Sequence, residues 1–119
     1  MMSNYSGSCH CGAISFSFEH DGPIDSGVRC NCSICKRKGA VMSKFTIAPD
    51  DFHIETAGDA LGKYEFDSKV ARHYFCKTCG IYPFHQTLRQ PGYYRVNLGC
   101  IDEIDTFSLP VDVFDGKSL

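Results

Sequence analysis

The chain has 119 residues, 43% of them hydrophobic and 22% charged, which is the make-up of one ordinary globular domain and not of a disordered segment. Its formal net charge of -2 argues against a protein built to grip nucleic-acid phosphates, which needs a basic face. No apolar run approaches the roughly 18 residues of a membrane span, and Met1-Met2-Ser3-Asn4-Tyr5 lacks the basic end and apolar stretch of a secretory signal. The expected compartment is therefore cytoplasmic, with no membrane partner. One domain is expected over residues 1–119.

The predicted elements are short. Residues 13–19 alternate in polarity and read as a strand with Ile14, Phe16 and Phe18 inward. A turn follows at His20-Asp21-Gly22-Pro23. Residues 28–30 run extended into a cysteine cluster, and Ser33 to Lys38 read as one short helical turn stopped by Gly39. Residues 41–47 read as a strand, and Pro49-Asp50-Asp51 as a turn or short helix start. Residues 52–55 and 63–66 look like a β-pair across a glycine-containing loop. Further strands are expected at 70–75, 82–86 and 93–98. A last edge strand is expected at 107–113, confined to the edge by Pro110. The fold class is all-β, mainly strands with short helical turns. A core this small gains from a metal staple.

Cysteine is the compositional outlier, with eight in the chain. Cys9 and Cys11 form one cluster, Cys30, Cys32 and Cys35 a second, and Cys76 and Cys79 a third; Cys100 stands alone. A disulfide framework fits poorly, because disulfides are mostly transient in a reducing compartment. A redox Cys-x-x-Cys opens a helix, whereas Cys79 is followed by Gly80 and Pro83, which break one. Zinc fits the close spacing. Its bonds to sulfur are roughly 2.3 Å long, so the ligands must crowd together. Cys-x-Cys on an extended segment puts two sulfurs on one face. Cys-x-x-Cys-Gly is a tight knuckle, with Gly80 supplying the backbone angle.

Seven clustered ligands divide as four plus three. Cys9, Cys11, Cys76 and Cys79 pair into a closed, structural zinc site. Cys30, Cys32 and Cys35 form a site short of its fourth protein ligand, as catalytic zinc sites are. An alternative stays open, in which Cys100 or His10 completes the second site and both are structural. Cys100 by itself reads as a small packed residue.

These motifs resemble a known family. Gly7-Ser8-Cys9-His10-Cys11-Gly12, Cys30-Asn31-Cys32-Ser33-Ile34-Cys35-Lys36-Arg37, Phe75-Cys76-Lys77-Thr78-Cys79-Gly80 and Val96-Asn97-Leu98-Gly99 are similar, in order and spacing, to signatures of the glutathione-dependent formaldehyde-activating (GFA) family. That family includes the centromere protein V domain, and the match runs from about residue 5 to residue 107. Asn31 departs from a position where histidine is common, and Cys100 from one where a small hydroxyl residue is common. The resemblance implies a zinc-stabilised β-tent-like fold and two zinc ions per chain. It gives the structural ion to Cys9, Cys11, Cys76 and Cys79 and the catalytic ion to Cys30, Cys32 and Cys35. It also implies carbon–sulfur lyase chemistry, the joining of glutathione and formaldehyde.

The chemistry agrees with that implication. A divalent ion on three thiolates carries a net negative charge and suits a soft fourth ligand, such as a substrate thiol, better than water. Metal binding ionises the thiol at neutral pH. Lys36, Arg37 and Lys38 follow Cys35, and Lys36 and Arg37 are candidate partners for the carboxylates of the tripeptide. The plainer reading of the three is a solvated charge run. Tyr82, Phe84 and His85 are candidate pocket walls or plain strand residues, and His85 is a candidate proton carrier. The expected partners are a small thiol, glutathione foremost, and an aldehyde. The alternative function is a non-catalytic zinc-binding module for protein or nucleic acid.

Overall fold

The structure, a computed structural model, describes residues 2–65, 71–87 and 90–118. It is mainly β. Among the described residues the strands are β1 (Met2–Ser8), β2 (Ile14–Asp21), β3 (Gly27–Cys30), β4 (Phe52–Thr56), β5 (Leu61–Tyr64), β6 (Arg72–Cys76), β7 (Phe84–Gln86), β8 (Tyr94–Val96) and β9 (Val111–Phe114). A short helix, α1 (Ser33–Lys38), follows β3. The strands form three sheets, in the orders β1-β2-β4, β3-β9 and β5-β6-β7-β8. The first and third are antiparallel; β3 and β9 run parallel. No described helix is long and apolar enough to cross a membrane.

β2 behaves as its alternation predicts, with Ile14, Phe16 and Phe18 buried. β1 has no such signal, because its seven residues are mostly polar and exposed. It is held by its ladder to β2 from Met2↔Asp21 to Ser8↔Ser15 rather than by burial. Gly7 is required there. A Cβ would lie 2.5 Å from the Phe16 ring and 2.7 Å from the Cys100 carbonyl oxygen.

Two expectations need correction. Residues 52–55 do not pair with 63–66. β4 pairs with β2, which sets Phe52 opposite Phe18 and Ile54 opposite Phe16, whereas β5 pairs with β6. The loop between β4 and β5 is held away from a hairpin by bonds to other segments, from Ala57 N–H to the Ala13 carbonyl and from Lys77 N–H to the Ala60 carbonyl. Phe66 and Val70, at the ends of two predicted strands, lie outside the described residues. Residues 41–47 are not a strand either. They touch their neighbours through isolated bridges, Met42 to Val28 and Asn97, and Ile47 to Tyr94. Between the bridges, Ser43 N–H still donates to the Val96 carbonyl (2.9 Å), and side chains replace the rest of the ladder. Ser43 Oγ accepts from Val96 N–H (3.1 Å) and donates to the Phe45 carbonyl (2.9 Å). Arg95 Nη1 donates to the carbonyls of Ser43 (2.9 Å) and Lys44 (2.8 Å).

The remaining strands are shorter than predicted. β7 begins only after Pro83, which has no N–H to give a ladder. β8 ends where the Asn97 side chain accepts from Gly99 N–H (2.9 Å) and starts the 3-10 turn Leu98–Cys100. β9 begins after Pro110, as an edge strand should.

Aromatic rings join the first and third sheets. Phe84, fully buried, meets Phe16 edge-on at 5.9 Å, Phe52 at 5.2 Å and Tyr94 at 5.7 Å. Phe52 stacks on Tyr94 at 4.6 Å. Ile14, Ile47, Val96, Leu98 and Ile101 fill the spaces around them, and Cys9 and Cys76 belong to the same cluster. Removing the Phe84 ring leaves a cavity between the two sheets. Phe84→Ala is expected to cost about 3–5 kcal/mol, read from the shift of the urea midpoint at unchanged slope.

Candidate metal centres

Two turns build the four-cysteine cluster. β1 leads into Cys9, whose N–H donates to the Ile14 carbonyl (3.0 Å) while Gly12 N–H donates back to the Cys9 carbonyl (3.3 Å). β6 ends on Cys76, and Gly80 N–H donates to the Cys76 carbonyl (2.8 Å). Gly12 and Gly80 have φ of 84° and 80°, the left-handed region both turns require. The turns bring Cys9 Sγ within 3.7 Å of Cys11 Sγ, and Cys11 Sγ within 3.6 Å of Cys76 Sγ. With Cys79, all four sulfurs lie within 4.8 Å of one another. Tetrahedral zinc with bonds of about 2.3 Å asks for sulfurs about 3.8 Å apart, so the donor set fits.

Backbone N–H groups also point at the sulfurs. Ile14 N–H donates to Cys9 Sγ (3.3 Å) and Cys79 N–H to Cys76 Sγ (3.4 Å). Backbone donors from Cys11 and Ile81 draw the Cys79 thiol down to about 6, so it ionises readily. His10 is exposed between two of these cysteines.

The three-cysteine cluster is local. β3 delivers Cys30. Cys32 precedes α1 and accepts Lys36 N–H on its carbonyl (2.9 Å); Gly39, at φ 68°, ends the helix by donating to the Cys35 carbonyl (3.0 Å). The three half-buried sulfurs again lie within 4.8 Å of one another, and no fourth cysteine, histidine or carboxylate joins the group among the described residues. Cys100 is packed elsewhere, as expected. It is 7% exposed, and burial pushes its thiol up to about 12, with Cys9 and Cys79 adding to the shift. Burial likewise pushes Cys35 up to about 12. Cys32 resists the same desolvation, because the N–H of Cys35 and the neighbouring thiols hold it below the ordinary value.

Distant residues wall this cluster. β3 pairs with β9, with Cys30 opposite Phe114. Asn31 then clamps the chain beyond β9. Its Nδ2 donates to Asp115 Oδ1 (2.9 Å) and its Oδ1 accepts Lys117 N–H (3.0 Å). The clamp sets Gly116 so close that a Cβ there would collide with Cys30 Sγ. On another side, Lys38 Nζ lies 3.7 Å from the centre of the Tyr82 ring. Tyr82 Oη and His73 Nδ1 are 2.8 Å apart and share a hydrogen. The β6–β7 register sets His73 opposite His85, with ring centres 5.6 Å apart. His85 Nδ1 is shielded from solvent and has no hydrogen-bond partner among the described residues.

Of the sequence-selected wall residues, Tyr82 therefore lies against Lys38, His85 stands behind it with ring centres 5.9 Å apart, and Phe84 belongs to the core. Lys36 and Arg37 are exposed, and Arg37 Nη1 donates to the Ser33 carbonyl of its own helix (2.7 Å). It is Lys38 whose ammonium turns inward. His73 and Gly116 carry no local sequence signal; only strand register reveals them.

The sequence matches the description "Glutathione-dependent formaldehyde-activating enzyme" over residues 4–116. The chain belongs to the GFA family. Its fold is similar to the crystal structure of a Rhodobacter sphaeroides protein, at a TM-score of 0.78 and 32% identity, covering 90% of this chain and 98% of that one. The GFA match includes all seven clustered cysteines, Lys38, His73, Tyr82 and His85, and ends on Gly116.

Two outcomes are expected of the wall. Burial lowers His73 to about 4 and holds His85 well below its ordinary value. The unfolded chain therefore takes up protons below about pH 6.5 that the folded chain refuses, and their contribution to stability is lost as pH falls from there through about 4. In NMR the two imidazoles should keep neutral-ring shifts at pH 5; a ring titrating near 6.5 would contradict their burial. Gly116→Ala, which pushes on Cys30 Sγ, should weaken metal binding at the three-cysteine cluster alone, read as one ion lost per chain by elemental analysis.

Proposed function

We propose that this GFA protein is a zinc-dependent carbon–sulfur lyase that joins glutathione and formaldehyde into S-(hydroxymethyl)glutathione. The observation that carries this reading is the inequality of the two clusters. Four sulfurs close one site on itself, and three sulfurs leave the other short of a ligand beside a wall of titratable groups. Under this reading one zinc is held by Cys9, Cys11, Cys76 and Cys79 and is structural. The second is held by Cys30, Cys32 and Cys35. Bound there, zinc supplies a position at which a thiol ionises at neutral pH and keeps its sulfur nucleophilic.

The chain's own residues do the rest. Cys30, Cys32 and Cys35 fix where the fourth sulfur can stand. The segment around Gly116 limits the room beside Cys30, which suits an unbranched thiol carbon. The sulfur attacks the formaldehyde carbon, a carbon–sulfur bond forms, and the carbonyl π electrons move to oxygen. The thiol proton ends on that oxygen, so thiol and aldehyde add up to the hydroxymethyl thioether with nothing oxidised. Tyr82 and His73, joined by their hydrogen bond, are neutral groups through which that proton can be relayed without a ring staying charged, with His85 as the candidate next to them. Lys36 and Arg37, at the exposed rim, are the proposed partners of the glutathione carboxylates. Residues 1–119 act as one domain, in a cytoplasmic setting that keeps the thiols reduced.

Removing one ligand from each cluster tests the inequality. Cys76→Ser opens a site whose metal joins distant segments, and structural zinc contributes on the order of 10 kcal/mol to folding. It should give an unfolded or insoluble chain by circular dichroism. Cys32→Ser should keep the β spectrum, hold one zinc instead of two, and lose any acceleration of exchange between 13C-formaldehyde and its glutathione adduct. Two equally inert zincs, with no acceleration in the unaltered protein, would instead indicate the binding module.

A further inference from the structure

The wall of the three-cysteine cluster contains one cation whose setting the proposed reaction has not used. Lys38 ends α1, three residues beyond Cys35, so the two side chains share a helix face. Its neighbours Lys36 and Arg37 stay in solvent, but Lys38 Nζ is shielded from water and makes no hydrogen bond to nitrogen or oxygen among the described residues. One side of the ammonium lies on the Tyr82 ring, at 3.7 Å from its centre. Its stem is thereby held rather than free to swing.

A lysine is seldom buried without an anionic partner, because desolvating the ammonium is costly. The groups on this side that become anionic when they hold a metal are the sulfurs, Cys35 on the same helix face foremost. Burial lowers its pKa from the usual lysine value, and Cys35 first, then Cys32 and Cys30, oppose that shift. The nearby His73 and His85 add no negative charge. The Tyr82 ring holds one side of this cation, and the sulfurs are the groups that can answer its charge.

We propose that Lys38 is the charge partner of the three-thiolate centre, a positioning residue whose ammonium offsets the negative charge of the metal-bound sulfurs and so admits an anionic fourth ligand. This rests on the reading of Cys30, Cys32 and Cys35 as an open metal site. Three thiolates on a divalent ion carry one net negative charge, and a fourth thiolate raises it to two. Without a local cation, that second negative charge weighs against the soft thiolate that the ion otherwise favours. With Lys38 in place, the last negative charge is taken up beside a fixed positive one in a partly desolvated setting, where such pairs count for more than in water. The centre then selects ionised thiols by charge, before any carboxylate of the substrate is recognised.

The test uses the full chain loaded with cobalt, whose sulfur-to-metal absorption reports a new thiolate ligand. The probe is 2-mercaptoethanol, which has no carboxylate for a lysine to pair with. Lys38→Met keeps the unbranched stem and removes the charge; Lys38→Arg keeps the charge. Lys38→Met should hold both cobalt ions yet bind the probe at least about tenfold more weakly, as expected for one lost charged interaction, and Lys38→Arg should recover most of the affinity. Loss of cobalt from the three-cysteine site in Lys38→Met, but not in Lys38→Arg, supports the same role. Equal probe affinity in the unaltered chain and Lys38→Met overturns the role of Lys38 and leaves the open site standing. Cobalt loss or weak binding shared by both variants also overturns it, since packing rather than charge would then matter. An unaltered chain that takes up cobalt but shows no change with the probe overturns the open site together with Lys38.

Discussion

Everything else in the molecule is arranged around the meeting of two turns, one at Cys9-His10-Cys11 and one at Cys76-Lys77-Thr78-Cys79. Cys11 and Cys76 are 65 residues apart in sequence and their sulfurs are 3.6 Å apart. Cys9 and Cys76 are also members of the apolar cluster that contains Phe16 and Phe84. The junction is thus continuous with the core. It fixes where β2 begins, because the Cys9 turn closes on Ile14, and where β6 ends. Once β6 is fixed, its register with β7 places His73 opposite His85, and the short turn from Cys79 brings Tyr82 alongside. The wall of the second cluster is therefore set in part by the geometry of the first.

The two clusters differ in surroundings as much as in ligand number. Around the first, backbone N–H groups draw Cys79 and Cys76 down; the Ala13 backbone does the same for Cys11, but desolvation and the neighbouring thiols outweigh it and push Cys11 up to about 11. Around the second, Cys35 is desolvated and the nearby His73, Tyr82 and His85 are all held neutral by burial. Among those neutral groups sits the ammonium of Lys38, on the Tyr82 ring. A site of this kind responds to the charge of whatever enters it. The first site, with its sulfurs already mutually satisfied, does not.

Much of this was legible in the sequence because cysteine spacing is a local signal. The division into four and three follows from pairs and a run, and the structure brings together the same residues. The alternation in Ile14, Phe16 and Phe18 likewise reads directly as one buried face. What could not be read was long-range pairing. β1 has no apolar period, so only its ladder to β2 reveals it. β4 and β5 adjoin in sequence, but Phe52 gains more by packing on Phe16 and Phe84 than by turning back on its neighbour. Residues 41–47 have the composition of a strand, but the Ser43 and Arg95 side chains take the carbonyls of Ser43, Lys44 and Phe45 that a ladder would use. At the site, His73 is visible only once register is known. The inward turn of Lys38 did have a signal, its spacing of three from Cys35 on a helical turn. The adjacent charges of Lys36 and Arg37 obscured it.

The parallel pairing of β3 with β9 has a temporal side. Asn31 and Asp115 are joined by a hydrogen bond across 84 residues of chain. The ribosome therefore releases Cys30, Cys32 and Cys35 long before it makes the segment that covers them. Throughout that interval the run is contiguous, flexible enough to chelate, and unshielded. Its three sulfurs are then already present together, whereas the four-cysteine junction cannot form until Cys76 and Cys79 have emerged. The three-cysteine run is thus complete in the chain long before the segment around Gly116 can pack against Cys30.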